Sequence, residues 1–138
     1  MNCKILSPQE ARGYSPLALA FVGDAVYEEF IRTKILVQAN TSANKLHKKA
    51  VSFVRAHAQS EASKNLASLL TAEEEEIFKR GRNAHSASVP KNADVTEYRA
   101  ATGFEALLGY LYLTGQADRL DFLMLEAYNV ISKESANR

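Results

Sequence analysis

The sequence has no tryptophan, one cysteine and three prolines, and each scarcity closes off a class of protein. A lone Cys3 cannot form an internal disulfide, and its place in an N-terminal stretch that reads as a loose tail gives no rigidly held nucleophile. The opening MNCKILSPQEARGYSP lacks the unbroken apolar core of a secretory signal, and no later window is apolar for long enough to cross a bilayer. The expected location is the cytoplasm. His47, His57 and His85 form no HxxxH or Cys/His pattern for zinc, and there is neither a glycine-rich phosphate loop nor a serine nucleophile elbow. Repeats, low-complexity tracts and convincing strand pairs are missing as well. At 138 residues the chain has room for one domain with a real core and none for a second, so 1–138 is expected to be a single domain.

What the sequence does carry is helical pattern, and the predicted fold class is all-α. Ser15 before Pro16 caps an apolar helix expected to run to about Leu36. Thr41 or Ser42 offers a cap for a second, in which Leu46, Ala50, Phe53, Val54 and His57 recur at helical spacing and His57 ends a packed face. A short third helix is expected to begin at Ser60. Thr71 with Glu74 three residues later is a capping box, and the acidic run Glu73 to Glu76 suits the start of a helix that ends near Arg82. The stretch NAHSASVPKNADV, Asn83 to Val95, has little apolar period and reads as an exposed loop. Thr96 is expected to open a strongly apolar helix to about Thr114, stopped by Gly115, with a last amphipathic helix from Ala117 to about Lys133. Residues 1–14 and 134–138 are left as tails.

Two apolar stretches each hold one conspicuous acid. In LALAFVGDAVYEEF, Leu17 to Phe30, it is Asp24; in RAATGFEALLGYLYL, Arg99 to Leu113, it is Glu105. An ionised carboxylate buried without a partner is costly, so such a group is paired, exposed, or used to hold a cation. Either acid alone fits a basic or backbone partner. Two of them on separate apolar helices suggest one site, and convergent carboxylates repel unless a cation lies between them. Mg²⁺ prefers oxygen ligands and water, and with few protein ligands it keeps positions for a substrate phosphate and an activated water.

The net charge of +1 predicts no general pull toward polyanions, yet its distribution is uneven. From Leu36 to Ser60 there is no acidic residue, while Lys45, Lys48, Lys49 and Arg55 are present with His47 and His57. Between Glu76 and Asp94 there is again none, while Lys79, Arg80, Arg82 and Lys91 appear with Asn83 and His85. Either segment also fits a solvated face, but two together point to a polyanion partner. Beside the paired acids, they point to phosphodiester hydrolysis.

FVGDAV, Phe21 to Val26, and GFEALLG, Gly103 to Gly109, resemble the two signature segments of the ribonuclease III endonuclease domain. With NKLHKKA, KRGRNAH, PKNADV and YRAATGFEALLGYLYL in register, nearly the whole chain is similar to the short bacterial branch of that family called Mini-ribonuclease III, which stops where a double-stranded-RNA-binding domain would follow. The resemblance implies a homodimeric helical bundle that cleaves double-stranded RNA with Mg²⁺, each protomer cutting one strand and leaving a short 3′ overhang with a 5′ phosphate. It implies Asp24 and Glu105 as catalytic metal ligands and precursor 23S ribosomal RNA as substrate. The chain departs from the full-length pattern at three positions: Leu17 and Ala20 replace glutamates and Thr102 replaces an aspartate. The site is therefore expected to be poor in charge, with Glu28, one turn after Asp24, and Thr102 as candidates for an extra ligand or water holder. Lys45, Lys48, Lys49, Lys79, Arg80, Arg82, Asn83, His85 and Lys91 are the expected RNA contacts, with Ser86, Ser88 and Asn92 of the loop offering hydrogen bonds. Tyr98, Tyr110 and Tyr112 are expected in the core or dimer interface. A catalytically inactive RNA-binding module of this fold and a plain helical dimerisation protein are the rival readings.

Overall fold

The computed structural model describes residues 5–84 and 89–136, and the regular structure within them is helical throughout. Cys3 lies outside the described residues. The elements are α1 (Pro8–Arg12), α2 (Pro16–Gln38), α3 (Ala43–Val54), α4 (Ala56–Leu66), a 3₁₀ turn (Ala67–Leu69), α5 (Ala72–Arg82), α6 (Val95–Leu113) and α7 (Ala117–Ala136). The caps explain most starts: Ser15 and Ser42 accept the N–H groups of Leu17 and Lys45, and Thr71 with Glu74 forms a reciprocal box.

Four boundaries differ from expectation, the first three for local reasons. Ser60 does not begin a helix but is buried inside α4, which starts at Ala56 after Arg55 turns extended at φ −64° and ψ 155° with no side-chain cap. The apolar helix begins one residue early because Asp94, not Thr96, accepts the Glu97 N–H. Residues 5–14 are no loose tail: Ser7 and Glu10 box α1, Ala11 is wholly buried, and the Ile5 and Leu6 N–H groups donate to Leu113 O at 3.1 and 2.8 Å. At the other end, α7 carries residues 134–136.

α6 is the axis of the molecule. From Gly103 to Leu111 only Glu105 escapes full burial, the pattern of a helix surrounded by others. α2 packs on one side of it, α5 and α4 on others. Two glycine pairs set these approaches. A methyl on Gly23 would sit 1.7 Å from Glu105 O, one on Gly109 would sit 2.0 Å from Leu19 O, and Gly81 and Gly103 bring α5 to α6 in the same way. Beside the first crossing Tyr27 meets Phe104 edge to face, ring centroids 5.3 Å apart. On the far side, Arg119 of α7 binds Glu74 of α5 through Nε and Nη2, both at 2.8 Å, a fork that locks the last helix down. Among the described residues, no helix is long and apolar enough to cross a membrane.

Candidate active site

The site follows from the α2–α6 crossing. Gly23 lets α2 touch the backbone of Glu105, so the next residue, Asp24, is placed beside the Glu105 side chain. Asp24 stands at the exposed rim and Glu105 deeper. Burial, reinforced first by the Asp24 charge and further by Glu28, pushes the Glu105 carboxyl up to about 8. No ion pair to Asp24 or Glu105 occurs among the described residues. Confined carboxylates without a protein cation are the donor set a hard divalent ion neutralises, so the residues present fit Mg²⁺.

Nothing in the residue pattern pointed to the third partner of this site. Gln59, on α4 and 2% exposed, donates through Nε2 to Glu105 Oε2 at 3.3 Å and to Val54 O at 2.7 Å. An uncharged amide inside a helix raises no alarm in a sequence; its burial beside an acid does.

The structure brings Glu28 near enough for its charge to act on Glu105, although its Oε1 also takes Arg32 at 3.5 Å. Thr102 lies three residues before Glu105, with its hydroxyl donating to Tyr98 O at 3.0 Å. Ala20 is buried and Leu17 partly exposed, so neither adds a donor. A separate set of donors, His57, Glu61 and Glu97, falls within 4.8 Å, but each already has a partner: His57 Nδ1 contacts Glu97 Oε2, and Glu61 accepts from Lys64 at 3.3 Å. His57, expected to be packed, is thus partly exposed and belongs to α4, because the break at Arg55 takes it off the α3 face.

The basic residues divide into two groups, the first exposed along α3 and the second at the end of α5, where Arg80 and Arg82 are half-buried. Lys45, Lys48 and Lys49 lie along α3, Lys49 reaching over Phe53 with 5.8 Å to the ring centroid. Lys79, Arg80 and Asn83 line an open groove facing Pro16 at the start of α2. Lys79 also pairs with Glu75 at 2.7 Å, while Arg82 lies over Phe78 and donates to Asn83 Oδ1 at 3.3 Å. Lys91 is exposed in the turn where Ala93 N–H donates to Pro90 O and Asn92 has φ 71°. His85, Ser86 and Ser88 lie outside the described residues. Tyr110 is buried, whereas Tyr98 and Tyr112 are half-buried.

An all-helical bundle that brings Asp24 and Glu105 together is what the resemblance implies of a ribonuclease III domain, and the family model of that description matches residues 17–116. The chain is 48% identical over 132 residues to a Thermoanaerobacter protein called Mini-ribonuclease 3, covering 96% of this chain and 93% of that one. It is 51% identical over 110 residues to the Enterococcus faecalis protein of the same name, covering 78% and 83%. A crystal structure of a Fusobacterium nucleatum protein superposes with a TM-score of 0.76 at 33% identity, covering 90% of this chain and 96% of the other. The chain belongs to the Mini-ribonuclease 3 branch of the ribonuclease III family.

Proposed function

We propose that this ribonuclease is a Mg²⁺-dependent endonuclease that cuts double-stranded RNA, with Asp24 and Glu105 as the residues that hold the ion. One observation carries the reading: two carboxylates forced together at the Gly23–Gly109 crossing, with burial and mutual repulsion raising Glu105 and no cation among the described residues paired with either. When bound, Mg²⁺ would lower the proton affinity of a water and draw charge from the scissile phosphate. Asp24, at the rim, is positioned toward solvent and substrate; Glu105, deeper, anchors the site to α6. Water adds to phosphorus, the P–O3′ bond breaks, and the products carry a 5′ phosphate and a 3′ hydroxyl. Glu28 or Thr102 supplies a further ligand or holds a water.

The enzyme works as a homodimer in the cytoplasm. Supporting this, α2 presents Phe21, 81% exposed, and Val37, 80% exposed, on a groove shared with Val22, Val26 and Phe30 and continued by Leu120 and Met124. Apolar surface of that kind is a contact surface, and Asp24 and Glu28 line the same groove. A two-fold partner seated there would set two sites across one duplex. Lys45, Lys48 and Lys49 of α3, and Lys79, Arg80, Arg82, Asn83 and Lys91 at and beyond the end of α5, hold phosphates, with His85 as a further contact; recognition rests on backbone and helix geometry because A-form RNA hides its bases. The physiological substrate is precursor 23S ribosomal RNA.

The test is incubation of the purified protein with long double-stranded RNA in Mg²⁺ and in EDTA. Fragments with short 3′ overhangs in Mg²⁺ alone support the proposal. Binding without cleavage would favour the inactive RNA-binding module.

A further inference from the structure

The Gln59 amide holds an unusual position. Its Nε2 reaches two acceptors, while its Oε1 is buried with no hydrogen-bond partner among the described residues. Turning the amide over would set an oxygen against Val54 O and the Glu105 carboxylate, so the donor end is fixed by what it faces. A buried acceptor left unpaired costs stability, and a leucine or methionine would fill the same space on α4 without that cost. The α3–α4 break at Arg55 has a use here. At the end of α3, the Val54 carbonyl takes no backbone donor from the residues that follow it among those described, and it anchors the amide instead.

We propose that Gln59 is a positioning residue: tethered to Val54 O, it pins Oε2 of Glu105 and so fixes how that carboxylate is offered to the divalent ion. The inference rests on the reading of Asp24 and Glu105 as the ion's holders. Without the amide, Glu105 turns about its terminal bonds and the ion must order it at each binding event. Supporting partners of this kind alter metal affinity by about 10- to 100-fold when removed.

Gln59→Met and Gln59→Leu keep the volume and remove the donor. With folding verified by thermal melting, Mn²⁺ binding, read from loss of the free-ion EPR signal, is expected to weaken about 10-fold or more. The Mg²⁺ concentration for half-maximal cleavage should rise in parallel, while the rate at saturating Mg²⁺ falls much less. In a Glu105→Gln background the same substitutions should weaken Mn²⁺ binding no further, since Gln59 acts through Glu105. Folded variants that bind Mn²⁺ like the parent overturn the inference, as does equal weakening in both backgrounds. A parent that binds no Mn²⁺ overturns the underlying reading instead, and the inference with it. Should neither variant fold, the Gln59 side-chain amide signal of the parent answers the question by NMR. Mg²⁺ should shift it in the parent and not in Glu105→Gln; an unmoved signal in an ion-binding parent overturns the inference.

Discussion

Asp24 and Glu105 are separable from their own stability effects because conservative replacements keep their shape. Asp24→Asn or Glu105→Gln should lower cleavage of double-stranded RNA by orders of magnitude while the folded state, association and RNA binding persist; Asp24→Asn that still cuts at ordinary Mg²⁺ would remove that residue from the site. Glu105 also predicts a pH signature in chelator. Its carboxyl lies at about 8 in the folded chain against 4.5 ordinarily, so between those values the folded form keeps a proton that the unfolded chain has released. Stability is complete below about pH 4.5 on this account and declines as pH rises toward 8. Melting temperatures taken across that window in EDTA should fall, and Mg²⁺ or Glu105→Gln should flatten the slope. The two acids were readable in the sequence because a charge in an apolar run asks for an explanation. Gln59 was not, because its partner is 46 residues away and neither helix announces the contact.

Helices meet where their side chains allow, and here glycine decides. Gly23→Ala would force a methyl to within 1.7 Å of Glu105 O, so α2 must back away from α6 at the point where the acids meet. Such overpacking against rigid backbone should cost at least about 3 kcal/mol in a denaturant titration. Gly13→Ala, whose methyl would lie 3.3 Å from Glu10 O, should cost far less. The sequence displayed these glycines but not the helices that cross at them, since close approach is a property of two distant segments. Helix starts were legible at Ser15 and Thr71, where a side chain caps the backbone, and not at Arg55, where none does. At the basic end of α5, Lys79→Ala with Arg80→Ala should weaken binding to all duplexes alike. For every phosphate that these side chains no longer neutralise, the log–log salt dependence should flatten by about one unit, measured by filter binding over a salt series. Unchanged slopes would move the main RNA-binding surface to Lys45, Lys48 and Lys49.

For the molecule as a whole, the apolar face of α2 predicts association. Phe21→Asp or Val37→Asp, at positions already exposed in the single chain, should leave the helical fold intact and yield monomers by sedimentation at micromolar concentration. A parent protein that sediments as a monomer yet cuts both strands would contradict the homodimer. Fold class was open to reading because helical spacing and caps are local; the packing of α6 at the centre was not, because the helices that cover it come from distant parts of the chain. That enclosure bears on time as well as on space. Glu105 rides on a helix whose backbone from Gly103 to Leu111 is covered by its neighbours, whereas Asp24 stands at a rim. Amide protons of that stretch should exchange with solvent only when the entire bundle opens, so a deuterium experiment there would count molecules that have unfolded, and the deep half of the centre would endure or vanish with the fold itself.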